Sequence, residues 1–231
     1  MARDGRERDS DDEERHYAAV ERARMVDRQL PGHGIVDPQI LNAMAAIPRE
    51  EFVPRHLRES AYIDSSLPIG CDQTISQPCV TALMCELAQL VGAERVLDVG
   101  TGSGYAAAVL SLLAAEVISI ERIDELAERA RRRLARLGFG NVTVVIGDGT
   151  RGWPERAPYD AILVAAGATA LPKALVEQLA EGGRLIIPVG RFRRGQTMYR
   201  FTNQGAGLKI EDFGAFSFVP LIAGDNDDAR E

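Results

Sequence analysis

A glycine-rich turn follows a short apolar run in the middle of this 231-residue chain. The run at 96–99 contains one acid, Asp98, and leads through Gly100, Gly102 and Gly104 to Tyr105. An apolar run of this kind predicts a buried parallel strand, and the glycines let the backbone turn tightly and approach a ligand closely. Strand, glycine turn and helix start together predict the first βα unit of a Rossmann-type cofactor site.

Two further acids, Glu121 and Asp148, each stand at the end of a later apolar run. Because the carboxyl ends of parallel strands meet at one edge of a sheet, both should lie near Asp98 and the glycine turn. We expect Glu121 to bind ribose hydroxyls and Asp148 to accept a hydrogen bond from an adenine amino group. The alternative is that Glu121 and Asp148 only stabilise turns.

Glycine spacing and charge favour S-adenosyl-L-methionine (SAM) over a dinucleotide. A dinucleotide site has the pattern G-x-G-x-x-G and a helix N-terminus free for pyrophosphate, whereas Tyr105 stands where the third glycine would be. The carboxylate of Asp98 would repel a diphosphate and attract the ammonium and sulfonium groups of SAM. The predicted cofactor-binding residues are Asp98, Gly100, Gly102, Ser103, Gly104, Glu121, Asp148 and Gly149.

A polar segment before the glycine turn holds the second set of candidates. Residues 67–78 predict a loop, and Pro78 predicts the start of a helix. Ser76 would lie at the helix entrance, where its hydroxyl and the helix N-terminus could hold a substrate carboxylate. Capping of the helix by Ser76 or Gln77 is the alternative. Nucleophilic catalysis is not indicated, because no G-x-S-x-G motif surrounds Ser76.

Alternating strand and helix patterns surround these candidates and predict an α/β fold with a doubly wound, mainly parallel sheet. We expect two N-terminal helices to wall the open side of the cofactor site. Helices are predicted at 17–30, 38–47, 78–87, 124–137 and 172–179, parallel strands at 96–99, 117–121, 144–148, 159–164 and 184–189, and a C-terminal antiparallel strand pair at 197–202 and 208–219.

One domain with charged ends accounts for the length of the chain. Hydrophobic residues make up 45% of it, which suffices for a large core. The expected domain covers 17–222, with a helical and active-site loop region at 17–90 and a SAM-binding sheet core at 91–222. Residues 1–16 and the acidic end 223–231 lack apolar periodicity and are expected to be disordered.

Composition also disfavours several kinds of partner. A net charge of −7 argues against nucleic acid, and the arginines at 129–136 are expected to form a solvated helix face. The chain has no apolar run of about 18 residues and no apolar core of a signal peptide near its start, so we expect no membrane partner and a cytoplasmic location. Three cysteines and three histidines without C-x-x-C or H-x-x-x-H spacing predict neither a disulfide framework nor a metal site.

The chain resembles the protein-L-isoaspartate O-methyltransferase family from about Met25 to Ile222. The segment at 73–78 is the most specific part, since it looks like the active-site signature of that family with Ser76 at the position of its catalytic serine. The similar stretches are Ile-Pro-Arg-Glu-Glu-Phe-Val-Pro at 47–54, Gln-Thr-Ile-Ser-Gln-Pro at 73–78, the glycine turn, Gly-Asp-Gly at 147–149 with Trp153-Pro154, Gly-Gly-Arg-Leu at 182–185 and Phe-Val-Pro-Leu at 218–221.

This resemblance implies methyl transfer from SAM to the α-carboxylate of L-isoaspartyl residues in age-damaged proteins. The ester would then close to a succinimide, which reopens partly to normal aspartate. Ser76 and Thr74 would orient the carboxylate, and Ile75, Gln77 and the backbone around Val219 would hold the peptide. A carboxylate is already ionised at neutral pH, so the site needs alignment within about 3 to 3.5 Å rather than a strong base.

The chain departs from the family pattern at a few positions. Cys79 stands where an aromatic residue is more usual, Ala-Ala-Gly-Ala at 165–168 replaces Thr-Ala-Ala-Pro, and Asp98 replaces a glutamate. The first two departures bear on substrate affinity more than on reaction type. The alternatives are a carboxylate methyltransferase for a dedicated peptide, a non-catalytic binder of damaged protein, and a nucleic-acid methyltransferase, which the charge fits poorly. A monomer is expected.

Overall fold

The structure is a computed structural model that describes residues 3–191 and 195–224, with side chains described from residue 12 onward. Its strands are β1 (Leu67–Gly70), β2 (Gln73–Ile75), β3 (Arg95–Val99), β4 (Glu116–Glu121), β5 (Val142–Ile146), β6 (Tyr159–Val164), β7 (Leu179–Arg191), β8 (Gly195–Asn203) and β9 (Leu208–Phe216). Its α-helices are α1 (Arg3–Arg24), α2 (Leu30–Gly32), α3 (Pro38–Ala46), α4 (Pro78–Ala88), α5 (Tyr105–Ser111), α6 (Asp124–Leu137) and α7 (Lys173–Glu177). A π-helical stretch, Met25–Gln29, joins α1 to α2, and short 3-10 helices lie at Arg49–Phe52, Arg55–Ser60, Gly149–Arg151 and Pro154–Arg156.

Seven of the described strands form one sheet in the order β5-β4-β3-β6-β7-β8-β9. The strands from β5 to β7 are parallel, and β8 and β9 are antiparallel additions at the edge. The chain moves outward from β3 to β5 and then restarts at β6 on the other side of β3. Open parallel sheets bind ligands where the strand order reverses in this way. The predicted doubly wound sheet and its antiparallel C-terminal pair are therefore confirmed.

Buried side chains cover both faces of the sheet, which explains the nearly continuous apolar pattern of its strands. In β3, Val96 belongs to the hydrophobic cluster that contains the N-terminal helices, and Leu97 belongs to a second cluster on the other face. The charged residue of this strand, Asp98, is only 1% exposed. A carboxylate at this depth requires a hydrogen-bond partner.

The N-terminal helices pack next to the first helix after the glycine turn. The hydroxyl of Tyr105 lies 3.6 Å from the sulfur of Met44 in α3. The rings of Tyr105 and Phe52 make an edge-to-face contact with centroids 5.5 Å apart. These contacts attach α3 and the 3-10 helix at Arg49–Phe52 to α5, and the predicted wall on the open side of the cofactor site stays a prediction. Within the described ranges, no helix combines the length and apolar character that crossing a membrane requires.

The charged N-terminal segment, expected to be disordered over residues 1–16, is described from residue 3 onward, and its disorder stays a prediction. From residue 3 onward it is helical and continuous with the part of α1 that Ala18 anchors in the core. A helix extends at little cost once one turn is fixed, and i,i+3 ion pairs such as Arg15–Asp12 at 3.0 Å support it without a buried face. Of the acidic end, Ala223 and Gly224 are described and residues 225–231 lie outside the described residues. The proposed division into one domain and two tails stays a prediction.

The segment expected to be a loop at 67–78 contains a β-hairpin instead. Leu67 pairs with Ile75 and Pro68 with Thr74, and the connection is a two-residue turn at Cys71 and Asp72 with φ of 52° and 55°. Two positive φ values are typical of the tight turns whose twist matches a hairpin. The strands are short and the turn lacks the usual glycine, which explains why the sequence pattern did not predict them. The hairpin fixes the backbone at Thr74 and Ile75.

Candidate active site

An open cleft of about 920 Å³ lies beyond the carboxyl ends of β3 and β4, at the switch point of the sheet. Its walls combine the glycine turn, the hairpin, the end of β4 and the segment after β9. The sequence-predicted residues that line it are Thr74, Ile75, Ser76, Gly100, Gly102, Ser103, Glu121, Gly149 and Val219. Residues from distant parts of the chain, predicted as cofactor and substrate groups, thus meet in one cavity.

Glu121 joins β4 to the glycine turn. Its Oε2 accepts a hydrogen bond from the N–H of Gly102 at 2.8 Å, and its Oε1 accepts one from the N–H of Ile123 at 3.0 Å. Gly102 has φ of 54°, a conformation that glycine adopts without strain. Glu121 is 6% exposed, and its carboxylate has acceptor sites beyond these two hydrogen bonds, since an ionised carboxylate has about four. Glu121 can therefore hold the turn and accept ribose hydroxyls at the same time.

Asp98 does not line the cleft. Its Oδ2 accepts a hydrogen bond from the hydroxyl of Ser119 at 2.6 Å, and the Ser119 oxygen lies 2.6 Å from that of Thr101. Burial raises the pKa of Asp98 to about 6, against the lowering effect of the Ser119 hydrogen bond. Through Ser119, the carboxylate of Asp98 is thus linked to Thr101 in the glycine turn and helps to hold the turn in place. Direct contact of Asp98 with a cofactor stays a prediction.

Asp148 and Gly104 also lie outside the cleft lining, and their contact with a cofactor likewise stays a prediction. The carboxylate of Asp148 accepts hydrogen bonds from the N–H and hydroxyl of Thr150 and from the N–H of Gly224, at 2.7 to 2.9 Å. Burial alone would raise the pKa of Asp148, but these hydrogen bonds and Arg151 lower it. A Cβ on Gly104 would lie 3.3 Å from Leu134, so this glycine permits close packing of α6 on the turn.

A second cavity of about 430 Å³ adjoins the cleft on the side of the hairpin. Four residues line both cavities: Thr74, Ser76, Ala165 and Val219. Gln77 lines the second cavity, as do Ser66 and Ser217, to which the sequence analysis gave no role. A ligand in the cleft and a second ligand in the adjoining cavity would therefore contact each other beside Ser76.

The geometry of α4 argues against Ser76 as a helix cap. The N-cap residue is Gln77, and its side chain makes no capping hydrogen bond. The N–H of Cys79 in the first turn instead donates to Oδ1 of Asp64 at 3.5 Å. Ser76 lies one residue before the N-cap, and it lines both cavities. The backbone around Val219 was expected to hold peptide, and the carbonyl of Val219 accepts a hydrogen bond from the N–H of Gly167 at 2.8 Å.

Arg49 is a site residue to which the sequence analysis gave no role. It is fully buried, and its Nη2 donates to the carbonyl of Ser76 at 2.7 Å while its Nε donates to the carbonyl of Ala61 at 2.6 Å. The guanidinium carbon lies 4.6 Å from the ring centre of Tyr105. Burial lowers the pKa of Arg49, partly offset by Tyr105. Its position in a charged stretch, Arg-Glu-Glu, favoured an exposed side chain, so the only signal was the resemblance of the stretch at 47–54 to the family.

Comparison with known proteins identifies relatives over most of the chain. The family model of protein-L-isoaspartate (D-aspartate) O-methyltransferases matches residues 21–226. A protein-L-isoaspartate O-methyltransferase 2 from Marinobacter nauticus is 55% identical over 202 residues, 87% of this chain and 92% of the relative. A protein-L-isoaspartate O-methyltransferase 1 from Rhodopseudomonas palustris is 53% identical over 205 residues, 88% of this chain and 84% of the relative.

Solved structures give the same result. One solved structure, of a protein-L-isoaspartate O-methyltransferase, is 35% identical and has a TM-score of 0.78. The match covers 89% of this chain and 66% of that protein. A Plasmodium falciparum relative, solved in complex with S-adenosyl-L-homocysteine, has 28% identity and a TM-score of 0.75, with 87% and 97% coverage. The family match extends across the hairpin, the glycine turn and both cavities. This chain belongs to the protein-L-isoaspartate (D-aspartate) O-methyltransferase family.

Proposed function

We propose that this protein transfers a methyl group from SAM to the α-carboxylate of L-isoaspartyl residues in damaged proteins. The observation that carries the proposal is the meeting of two cavities at Thr74, Ser76, Ala165 and Val219. A methyl transfer requires the donor carbon and the acceptor oxygen to be aligned at about 3 to 3.5 Å with water kept out. Two adjoining cavities with a shared wall can provide this alignment.

The cleft has the chemistry for SAM. It is an open cleft lined by residues from the glycine turn, the end of β4 and the segment after β9, and Glu121 offers carboxylate oxygens beside the glycine turn. When bound, SAM supplies an electrophilic methyl group on its sulfonium. Glu121 accepts hydrogen bonds from the ribose hydroxyls. Gly100 and Gly102 let the backbone approach the ligand closely, and Gly149 forms the wall of the cleft near the adenine base. The Plasmodium relative binds the demethylated product of this cofactor.

The second cavity has the chemistry for a peptide carboxylate. The hydroxyls of Ser76 and Thr74 donate hydrogen bonds to the carboxylate and turn one oxygen toward the cleft. Gln77 contacts the flanking peptide from the wall of the second cavity, Ile75 contacts it from the wall of the cleft, and the segment at Val219 closes the opposite side. The carboxylate is already ionised, so no residue needs to remove a proton. The curated relatives carry the name of this activity.

The remaining features of the proposal concern partners and location. We propose protein rather than nucleic acid as the substrate, since the net charge of −7 would oppose phosphate binding. We also propose a monomer in the cytoplasm. The three cysteines, all of them free, suit a reducing compartment, since disulfides are rare there. Light scattering of the purified protein and cell fractionation test these two points.

The reaction itself is tested with methyl-labelled SAM and a peptide that contains one L-isoaspartyl residue. The expected result is label in the peptide that base releases as methanol, because an ester is base-labile. Label that resists base, or label that enters RNA or DNA in place of peptide, would contradict the proposal. A mixture without peptide measures the background.

A further inference from the structure

Three side chains with metal-ligating atoms meet near the start of α4, and none of them lines the two cavities of the candidate active site. They are His33, at the end of α2, Asp64, in the turn before β1, and Cys79, in the first turn of α4. Their nitrogen, oxygen and sulfur atoms all lie within 4.8 Å of one another. Local sequence spacing gave no sign of this group, because its members come from three separate segments of the chain.

The distances within the group suit a single ion. Nε2 of His33 lies 3.0 Å from Oδ2 of Asp64, and Cys79 is in contact with the same carboxylate through its N–H, 3.5 Å from Oδ1. Ligand atoms around one tetrahedral zinc ion lie about 3.3 to 3.8 Å apart, given bonds of about 2.0 Å to nitrogen or oxygen and 2.3 Å to sulfur. Small side-chain movements therefore bring all three atoms onto one metal.

We propose that His33, Asp64 and Cys79 form a binding site for Zn²⁺ or a similar thiophilic divalent cation. A thiolate, an imidazole and a carboxylate are zinc ligands, whereas Mg²⁺ and Ca²⁺ prefer oxygen alone. The Cys79 thiol releases its proton to solvent when the sulfur binds the metal. One thiolate, one carboxylate, a neutral imidazole and a divalent cation sum to zero charge, which suits a partly buried site.

The surroundings supply an entry path and an outer contact. The side chain of His33 is 53% exposed and that of Asp64 is 22% exposed, whereas Cys79 is buried. A metal ion can thus reach the sulfur from the solvent side, and water takes the fourth position. The amide of Gln29 lies 3.9 Å from the Cys79 sulfur and donates a hydrogen bond to it. Hydrogen bonds of this kind orient metal ligands and tune their affinity.

Metal binding at this site would fasten α2 to the start of α4. Cys79 stands three positions after Ser76, whose carbonyl Arg49 already holds. A ligand that binds the folded chain and has little affinity for the unfolded chain raises stability by mass action. The consequence is a metal-dependent rise in melting temperature, which does not depend on the proposed methyl transfer.

The test uses the full chain, stripped with a chelator and kept reduced, and titrated with Co²⁺ and then Zn²⁺. We expect one equivalent of Co²⁺ to produce a thiolate-to-cobalt charge-transfer band that Zn²⁺ abolishes, and Zn²⁺ to raise the melting temperature. Cys79→Ser should remove the band, and His33→Ala should weaken Zn²⁺ at least about 100-fold in competition with a chromophoric chelator. Gln29→Ala should weaken it about 10-fold.

Cys71→Ser is the matched control, because Cys71 is a free, exposed cysteine outside the group. It should keep the band and the affinity of the unchanged chain. The proposal is overturned if the stripped chain gives no charge-transfer band with Co²⁺, or if the band survives in Cys79→Ser. An unchanged affinity in a folded His33→Ala variant, verified by its circular dichroism, overturns it as well.

Discussion

The guanidinium of Arg49 donates a hydrogen bond to the main-chain carbonyl of Ser76 at 2.7 Å. The link runs from the 3-10 helix at Arg49–Phe52 to the residue where the two cavities meet. Arg49 is fully buried and also donates to the carbonyl of Ala61, so its side chain has little freedom to move. The position of Ser76 in the site is therefore set by a residue distant in sequence that lines neither cavity.

Replacing Arg49 should impair turnover more than cofactor binding. Arg49→Met keeps the length of the side chain but leaves the carbonyls of Ser76 and Ala61 without donors. We expect kcat on an isoaspartyl peptide to fall by about 10- to 100-fold, since small displacements of positioning groups have effects of this size. Calorimetry should find SAM affinity unchanged. Arg200→Met is the control, because Arg200 also donates to a carbonyl, that of Leu87, at 3.3 Å. Equal losses of kcat in both variants would refute the positioning role.

Ser76→Ala separates a role in orienting substrate from a role in capping the helix. Loss of a true N-cap costs about 0.5 to 2 kcal/mol of folding free energy. Because Gln77 is the N-cap and Asp64 accepts the Cys79 N–H, we expect the melting temperature to change little and turnover to fall at least about 10-fold. Ser65→Ala, at an exposed hydroxyl that donates to a neighbouring carbonyl, is the control.

Ser76→Thr should also lose turnover, because the added methyl group crowds the shared wall of the two cavities. A Ser76→Ala variant that melts earlier and keeps the turnover of the unchanged protein would support the capping interpretation. Denaturation curves and initial rates, measured on the same preparations, distinguish the two outcomes.

Glu121→Ala should weaken SAM binding by about 1.5 to 3 kcal/mol, the range for hydrogen bonds to a charged group. The loss includes the two bonds from Gly102 and Ile123 that order the turn. Glu125→Ala is the control, because Glu125 is an exposed acid in the first turn of α6. Titration calorimetry with SAM measures both variants. An unchanged affinity in Glu121→Ala, or tighter binding of NAD than of SAM, would remove the basis for the cofactor assignment.

The buried carboxyl of Asp98 predicts a pH dependence of stability. Its pKa is about 6 in the folded protein, raised by burial from an ordinary value of 3.8. The folded state therefore holds the proton more tightly than the unfolded state, and the contribution of Asp98 to stability falls as the pH rises from about 4 to 6. The difference of about 2 pKa units corresponds to about 3 kcal/mol.

Asp98→Asn removes this titration while its amide oxygen still accepts the Ser119 hydrogen bond. The free energy of unfolding of both proteins is measured with denaturant at several pH values. The value for the unchanged protein minus the value for the variant should decline by about 3 kcal/mol between pH 4 and pH 7. Parallel pH profiles of the two proteins would contradict a raised pKa at Asp98.

Much of the fold could be predicted from the sequence because the parallel strands are buried on both faces. Their apolar runs and the amphipathic pattern of α6 stand out locally, and the predicted range of α6 matches its observed bounds, Asp124–Leu137. The hairpin at β1 and β2 could not be predicted in the same way. Its strands are short, and its turn at Cys71 and Asp72 uses two positive φ values without the glycine that usually signals such a turn.

The candidate site was predictable where local motifs supply it. Glu121 and Ser76 follow from the strand end and the helix start, and both line the cleft. For Asp98 the motif gave the residue but not its side-chain partner, Ser119, and its contact with a cofactor stays a prediction. Arg49 and the group of His33 and Cys79 depend on contacts between distant segments, which one sequence does not reveal.

Selectivity between two matched peptides tests the central claim most directly. An isoaspartyl residue places its carboxylate one bond from the backbone, whereas normal aspartate places it one methylene further out. A site that fixes the flanking backbone and the carboxylate therefore cannot align the carboxylates of the two peptides equally well with the methyl group. With methyl-labelled SAM and peptides that differ only in this linkage, we predict methanol-releasing ester at least about 100-fold faster on the isoaspartyl peptide. Equal rates on the two peptides, or transfer to one dedicated peptide alone, would contradict the repair function.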